Sequence, residues 1–217
     1  MEAGAVPLGR RLVERGPAPA HDAEHEHHGP PEANRSSRVE ASFLGMLLFI
    51  ISEIMLFGAF FTAYFFIRVV SPEPWFPFRG DELPVLIAGV NTAILLSSSL
   101  TIHWALVSAK NGNRGGLRAG LLTTFLLGLT FLTIQINEYV HLGFAPRDHA
   151  QGSIFYGLTG LHGAHVAVGL TLLAFATIRA YRGHFTPTEH RGVEVPGIYW
   201  HFVDVMWVFV YTTIYIL

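Results

Sequence analysis

Five long apolar segments dominate the pattern of hydrophobic and polar positions along the chain. They cover residues 41–69, 84–107, 119–141, 153–181 and 198–217. Each contains at least the roughly 20 residues that a helix needs to cross a hydrocarbon core of roughly 30 Å. A segment inside lipid must satisfy its own backbone hydrogen bonds, which favours helices. The pattern therefore predicts an all-α fold, an integral membrane bundle of five transmembrane helices.

The first 40 residues differ from the rest of the chain. They are rich in Pro, Gly, Glu and His and lack apolar periodicity, which is typical of segments that cannot form a packed core. We therefore expect residues 1–40 to be a disordered polar tail and residues 41–217 to form one transmembrane domain. Four tail histidines could bind a metal weakly, but we favour a solvated tail. They are His21, His25, His27 and His28.

Composition and charge agree with a membrane protein and predict its orientation. The chain is 51% hydrophobic and only 14% charged, and it has no cysteine, which excludes disulfides and thiolate sites. Of its 14 Lys and Arg residues, Arg68, Arg79 and Arg147 lie on one side of the predicted bundle and the other eleven lie on the opposite side. The positive-inside rule therefore predicts a cytoplasmic N-terminus and a C-terminus outside.

Glu53 is the most deeply placed ionisable residue. It lies about twelve residues into the first span, and at 1.5 Å per residue this is about 18 Å, close to the membrane midplane. A carboxylate at that depth is costly and is therefore a candidate for function. Glu53 is interpreted either as a group of a proton relay or cavity, or as a neutral acid bonded to a neighbouring helix.

The fourth span carries small residues and two histidines. Glycine and alanine at four-residue spacing allow close helix contact, which predicts a central position for this helix. His162 and His165 are three residues apart on one face. This spacing allows a metal or haem pair, and it equally allows two imidazoles bonded to neighbouring helices, which we favour.

Three further polar positions predict contacts between helices. Glu138, near the end of the third span, is expected to bond an imidazole of the fourth span. His201 and Asp204 are three residues apart in the last span, so they are expected to pair with each other. Arg179 is expected to add a cation at that level or to hold a lipid phosphate.

Three stretches of the chain resemble subunit III of haem–copper oxidases, the cytochrome c oxidase subunit 3 family, in its bacterial five-helix form. They are LFIISEIMLF at 48–57, GLHGAHV at 160–166 and YWHFVDVMW at 199–207. Smaller pieces agree in order, including Asn91-Thr92 in span two and Gln135 with Glu138-Tyr139 in span three. The resemblance covers residues 41–217, and relative to the seven-span mitochondrial form the chain lacks the first two helices.

The resemblance implies a non-catalytic subunit of a proton-pumping cytochrome c oxidase. Such a subunit docks on subunit I, near subunit II, and supports subunit I stability, lipid binding, proton uptake and oxygen access. It carries no metal, redox centre or catalytic residue of its own, since haem and copper belong to other subunits, and no nucleic acid is involved. The implied location is the inner membrane of a bacterial cell, as a multi-pass protein.

The resemblance also assigns roles to the polar residues. Glu53 resembles the family's carbodiimide-reactive carboxylate beside a lipid-filled cleft, and Arg68 and Arg179 become the expected contacts to phospholipid. The remaining positions become a structural polar network rather than ligands, namely Glu138, His162, His165, His201 and Asp204. Glutamate at position 53 favours cytochrome c as electron donor over a quinol. Subunit III of a quinol oxidase, an accessory protein of a nitric oxide reductase and a stand-alone transporter are the competing interpretations.

Overall fold

A computed structural model describes residues 41–71, 85–185 and 191–217. These residues form five α-helices, numbered here in chain order, and a terminal π-helical turn at Thr212–Ile216. The helices are α1 (Ala41–Val70), α2 (Val85–Lys110), α3 (Arg114–His141), α4 (Ala150–Tyr181) and α5 (Arg191–Tyr211). All five are long and apolar enough to cross a membrane, so the predicted all-α bundle is confirmed. The tail, its histidine cluster and Arg79 lie outside the described residues.

Several helices extend beyond the apolar segments because polar residues cap or hold their ends. Asn113 caps α3 by accepting a hydrogen bond from the Gly116 amide at 3.0 Å, and His149 caps α4 through the Gly152 amide at 2.9 Å. Helix α5 begins at Arg191, seven residues before the apolar segment at 198, and Pro196 lies within it. Apolar length therefore located each helix but not its ends.

Four of the helices form a closed ring. Helix α2 packs on α3, α3 on α4, α4 on α5, and α5 returns to α2. Helix α1 lies outside this ring, mainly against α4 and to a lesser extent against α5. Contacts to α1, α3 and α5 give α4 the central position that its small residues predict.

The ring is packed tightly around Trp200 of α5. A Cβ atom on Gly128 of α3 would overlap the Trp200 ring, and one on Gly169 of α4 would lie 2.8 Å from it. The indole therefore occupies the space that two missing side chains leave, and its Nε1 donates to Ser98 Oγ at 2.8 Å. By contrast, Gly58 of α1 has no atom within 4 Å of such a Cβ.

The π-helical turn ties α1 and α3 to the end of α5. Tyr64 of α1 donates to the Thr213 carbonyl at 2.7 Å, and Arg68 donates to the Leu217 carbonyl at 2.5 Å. From the same turn, the Tyr215 hydroxyl donates to Glu138 of α3 at 2.6 Å. The far end of α1 is thereby fixed to the ring by side-chain hydrogen bonds.

Candidate functional site: an intramembrane glutamate–histidine pair

Glu53 of α1 and His165 of α4 meet in the middle of the membrane-spanning region. The Glu53 Oε2 atom lies 2.8 Å from His165 Nε2. Both side chains are largely buried, with 15% of Glu53 and 12% of His165 exposed. Each residue is close to the midpoint of its helix. The contact therefore joins α1 to the ring at the depth where a lone charge costs most.

The second nitrogen of His165 fixes the position of one proton. His165 Nδ1 lies 2.8 Å from the carbonyl oxygen of Leu161, one turn earlier in α4. A carbonyl only accepts, so Nδ1 carries hydrogen. The short contact between Nε2 and Glu53 then requires a second proton, held either by the carboxyl group or by an imidazolium. In both forms the pair has no net charge.

Aromatic rings and one hydroxyl surround this pair. The Phe57 ring centroid is 5.1 Å from that of His165. The Tyr199 hydroxyl of α5 donates to the His165 carbonyl at 3.2 Å. An apolar setting strengthens the attraction between the two side chains. The geometry places a carboxyl group and an imidazole in direct contact inside the membrane-spanning region.

Comparison with known proteins identifies the family. The family model for cytochrome c oxidase subunit III matches residues 31–217. The chain belongs to this family. It is 41% identical over 175 residues to cytochrome c oxidase subunit 3 of Thermostichus vulcanus, which covers 80% of this chain and 86% of the relative. The match to the Synechocystis subunit 3 is 38% over 194 residues, covering 89% and 79%.

The cytochrome c oxidase subunit 3 of Papio hamadryas is 45% identical over 177 residues, and the match covers 79% of this chain and 67% of the Papio protein. The resemblance to haem–copper oxidase subunit III is thus confirmed, and the chain is a multi-pass membrane protein. Greater coverage of the cyanobacterial relatives indicates that this subunit III chain is closer to them in length.

The two histidines of α4 contact different helices in this subunit III chain. His165 faces Glu53 on α1, whereas the fully buried His162 places its Nε2 atom 3.1 Å from the Val203 carbonyl of α5. The His162 ring packs 4.6 Å from that of Trp207. Among the described residues, no group of three or more His, Cys, Asp or Glu side chains is close enough to hold a metal.

The prediction that Glu138 bonds an imidazole of α4 is wrong. Glu138 accepts from Tyr215 instead. Helices α3 and α4 are antiparallel neighbours, and the Phe131 ring of α3 packs 5.7 Å from that of His162, between centroids. Glu138 is seven residues further along α3, so it lies about 10 Å along the axis from His162 at 1.5 Å per residue. Depth therefore separates Glu138 from the imidazoles, and no pattern along the chain indicates that the last turn supplies a tyrosine.

The direct pairing predicted for His201 and Asp204 is also wrong. Both contact Ser99 of α2: its hydroxyl donates to Asp204 Oδ2, and its oxygen lies 3.1 Å from His201 Nδ1. Within the described part of the chain, no ion pair joins the two residues. A serine from the adjacent helix lies between them, and no sequence spacing points to it.

The two arginines assigned to lipid lie at opposite ends of the bundle. Arg68 is near the end of α1 and bonds Leu217. Arg179, near the end of α4, stacks on Phe185 with its guanidinium carbon 5.4 Å from the ring centroid. Arg179 also lines a groove of about 420 Å³ between α1, α4 and α5, together with Phe43, Phe175 and Pro196.

Proposed function

We propose that this chain is the non-catalytic subunit III of a proton-pumping cytochrome c oxidase, docked on subunit I with subunit II nearby. Membership of the cytochrome c oxidase subunit III family supports this proposal. In it, haem and copper belong to other subunits and this chain holds no metal or redox centre. Its role is to stabilise subunit I and to support proton uptake, lipid binding and oxygen access.

The Glu53–His165 contact is the observation that carries a functional rather than a purely structural role. A carboxyl group and an imidazole at 2.8 Å can exchange a proton, and both groups here are largely buried between α1 and α4. The pair therefore forms an acid–base contact at mid-membrane, on the helix whose span is the least buried of the five that the structure describes. We propose that this acid–base pair sustains proton uptake by the neighbouring catalytic subunit.

The groove at Arg179 is the proposed phospholipid site. Its apolar walls suit acyl chains, while the guanidinium at one end can bind a phosphate through several donors. Glu194 lines the same groove, and Lys110 lies 3.4 Å from its carboxylate and offsets that charge. Arg68 carries the same guanidinium at the opposite end of the bundle, and we propose a second phosphate contact there. Acyl chains in the groove would provide an apolar route for oxygen.

The proposed location is the inner membrane of a bacterial cell, with the N-terminus cytoplasmic and the C-terminus periplasmic. Eleven of the 14 Lys and Arg residues lie on the side assigned to the cytoplasm, which supports this orientation. Cysteine scanning with a membrane-impermeant thiol reagent tests it. A cysteine at Asn113 should react only after the membrane is opened, whereas one at Asp148 should react in intact spheroplasts.

Co-purification tests the assignment as a whole. A tagged chain extracted in mild detergent should bring down a haem-containing subunit that consumes oxygen with reduced cytochrome c. Activity with quinol alone would indicate a quinol oxidase, and reduction of nitric oxide would indicate a nitric oxide reductase. A colourless chain that purifies without any haem protein would contradict the oxidase assignment and favour a stand-alone transporter.

A further inference from the structure

Polar side chains lie on the lateral surface of the bundle, the one that faces the membrane, between α2 and α5. Ser99 and His201 are half-buried and His103 is exposed, while Asp204 behind them is only 2% exposed. Ser99 lies eleven residues before the end of α2, which is about 16 Å along the helix axis. This polar surface therefore lies deep within the membrane-spanning region, where lipid tails offer no hydrogen bonds.

The hydrogen-bond directions leave one nitrogen of His201 available at this surface. The Ser99 hydroxyl gives its single proton to Asp204, so its oxygen accepts from His201 Nδ1 at 3.1 Å. In the neutral imidazole, Nε2 is then an acceptor. Within the described residues, Nε2 has no hydrogen-bond partner. A half-exposed acceptor at this depth is costly without a donor.

Exposed side chains border this nitrogen on both helices. Ser99 and Asp204 define where α2 and α5 touch, and the two helices run antiparallel. Successive residues of a helix are 100° apart around its axis. The exposed residues that flank Ser99 on α2 and those that flank Asp204 on α5 therefore lie in two rows on the same side of the helix pair. The rows are Leu96, Leu100 and His103 on α2, and His201, Val205 and Val208 on α5.

Both rows have the spacing that helix packing requires. Residues separated by four and then three positions form a stripe that a neighbouring helix can cover, as in coiled coils. Leu100 is 73% exposed and Val205 is 54% exposed. The two stripes form the walls of a shallow channel, defined here as the α2–α5 groove, and His201 lies between them.

We propose that the α2–α5 groove is the docking site for a transmembrane helix of another oxidase subunit, and that this helix donates a hydrogen bond to His201 Nε2. The inference rests on the proposed function, because that function supplies a partner within the membrane. A helix with one polar side chain can cover the apolar walls of the groove and also donate a hydrogen bond to His201 Nε2. An acyl chain satisfies only the walls.

Photo-cross-linking in the intact oxidase tests the occupant directly. A photoreactive phenylalanine analogue is placed at Leu100 or Val205, with Leu126 of α3 as the control at an exposed position, 52% accessible, on another helix of the ring. We expect the two groove positions to cross-link mainly to another oxidase subunit and Leu126 mainly to lipid. Lipid adducts at both groove positions, or equal protein cross-linking at Leu126, would overturn the proposal.

A pair of substitutions tests the hydrogen bond. His201→Phe removes both nitrogens but keeps a ring, whereas His201→Gln places an amide near the position of Nε2. We expect His201→Phe to weaken retention of the subunit in detergent about tenfold, which is about 1.4 kcal/mol, and His201→Gln to restore most of it. Equal retention of both variants at wild-type levels would exclude the donor.

The two tests also separate this inference from the proposed function. Wild-type co-purification with haem and oxygen consumption examines the oxidase assignment alone. If the wild-type chain co-purifies while Leu100 and Val205 label only lipid, the docking site is wrong and the assignment stands. The cross-linking result does not depend on a His201 variant, so poor folding of His201→Phe leaves the docking proposal testable.

Discussion

Two carboxylate–histidine networks lie within the same bundle and are held in opposite ways. Glu53 contacts His165 directly, across the boundary between α1 and the ring, and both side chains are partly exposed. Asp204 reaches His201 only through Ser99, between two helices of the closed ring. The same residue types therefore form a direct contact between α1 and the ring in one place and a serine-bridged contact within the ring in the other.

The surrounding packing explains the difference. The ring places Trp200 against glycines on two neighbouring helices, which leaves little room for movement. Helix α1 buries only 6% of its span inside the bundle, against 33% to 56% for the other four helices. Helix α1 is therefore joined to the bundle through contacts such as Glu53–His165, whereas the ring helices are also held by close packing around Trp200.

The largest expected change in stability comes from replacing a glycine of the ring, and the matched replacement on α1 should have little effect. Gly128→Ala places a Cβ atom against the Trp200 indole and should destabilise the subunit by about 3 kcal/mol. Gly58→Ala meets open space and should be neutral or stabilising by up to about 1 kcal/mol. Thermal unfolding of the purified complex measures both changes. Equal effects of the two substitutions would show that the ring is no more tightly packed than α1.

Loss of the buried carboxylate should have the next largest effect. Asp204→Ala removes the acceptor of the Ser99 hydroxyl and should cost about 2 kcal/mol. Asp204→Asn keeps an acceptor and should cost clearly less. The yield and thermal stability of the complex report the difference. If both variants match the wild type, Asp204 is not part of a structural joint.

Glu53→Gln should have a small effect on stability, within about 1 kcal/mol, because its amide can keep a hydrogen bond to His165 Nε2 whichever group carries the proton. Initial electron transfer should be nearly intact, and carbodiimide labelling of this subunit should disappear. Glu53→Leu, the matched control, removes the hydrogen bond to His165 and should be less stable than Glu53→Gln. If the Glu53→Gln subunit fails to assemble, the Glu53–His165 contact is a structural joint like the one at Asp204, which contradicts this comparison.

The smallest effect is expected at the end of the bundle. Lys110 and Glu194 form an ion pair at 3.4 Å, and their side chains are 57% and 35% exposed. Water and salt screen such pairs, so Glu194→Gln should change stability by less than about 0.5 kcal/mol. Thermal unfolding at low and high salt checks this value. A larger, salt-independent loss would place Glu194 among the structural contacts.

Sequence reasoning succeeded where the physics is local. Apolar length predicts five helices because each must span the same hydrocarbon thickness. Helix ends depend on single capping groups such as Asn113 and His149, which lie outside the apolar segments. The depth of Glu53 was predictable for the same reason, since it requires only counting residues along one helix.

Partners were harder to predict because they depend on which helices meet. Glu53 and His165 are 112 positions apart, and no periodicity relates them. Ser99 gives no signal at all, since a serine in a membrane helix usually bonds its own backbone. The spacing of His201 and Asp204 suggested a pair, but the adjacent helix supplied a better geometry. Family resemblance pointed to positions such as Glu53 without indicating their contacts.

The two ends of α1 are held differently, because among the described residues only one of them is hydrogen-bonded to the end of the chain. Tyr64 and Arg68 pin one end of α1 to that turn, whereas Phe43, near the other end, lines the groove beside Arg179. Glu53 lies roughly midway between pivot and groove at a uniform rise per residue. If α1 turns as a rigid rod about its fixed end, a displacement at Phe43 moves Glu53 by roughly half as much, so one helix links the groove to the Glu53–His165 contact.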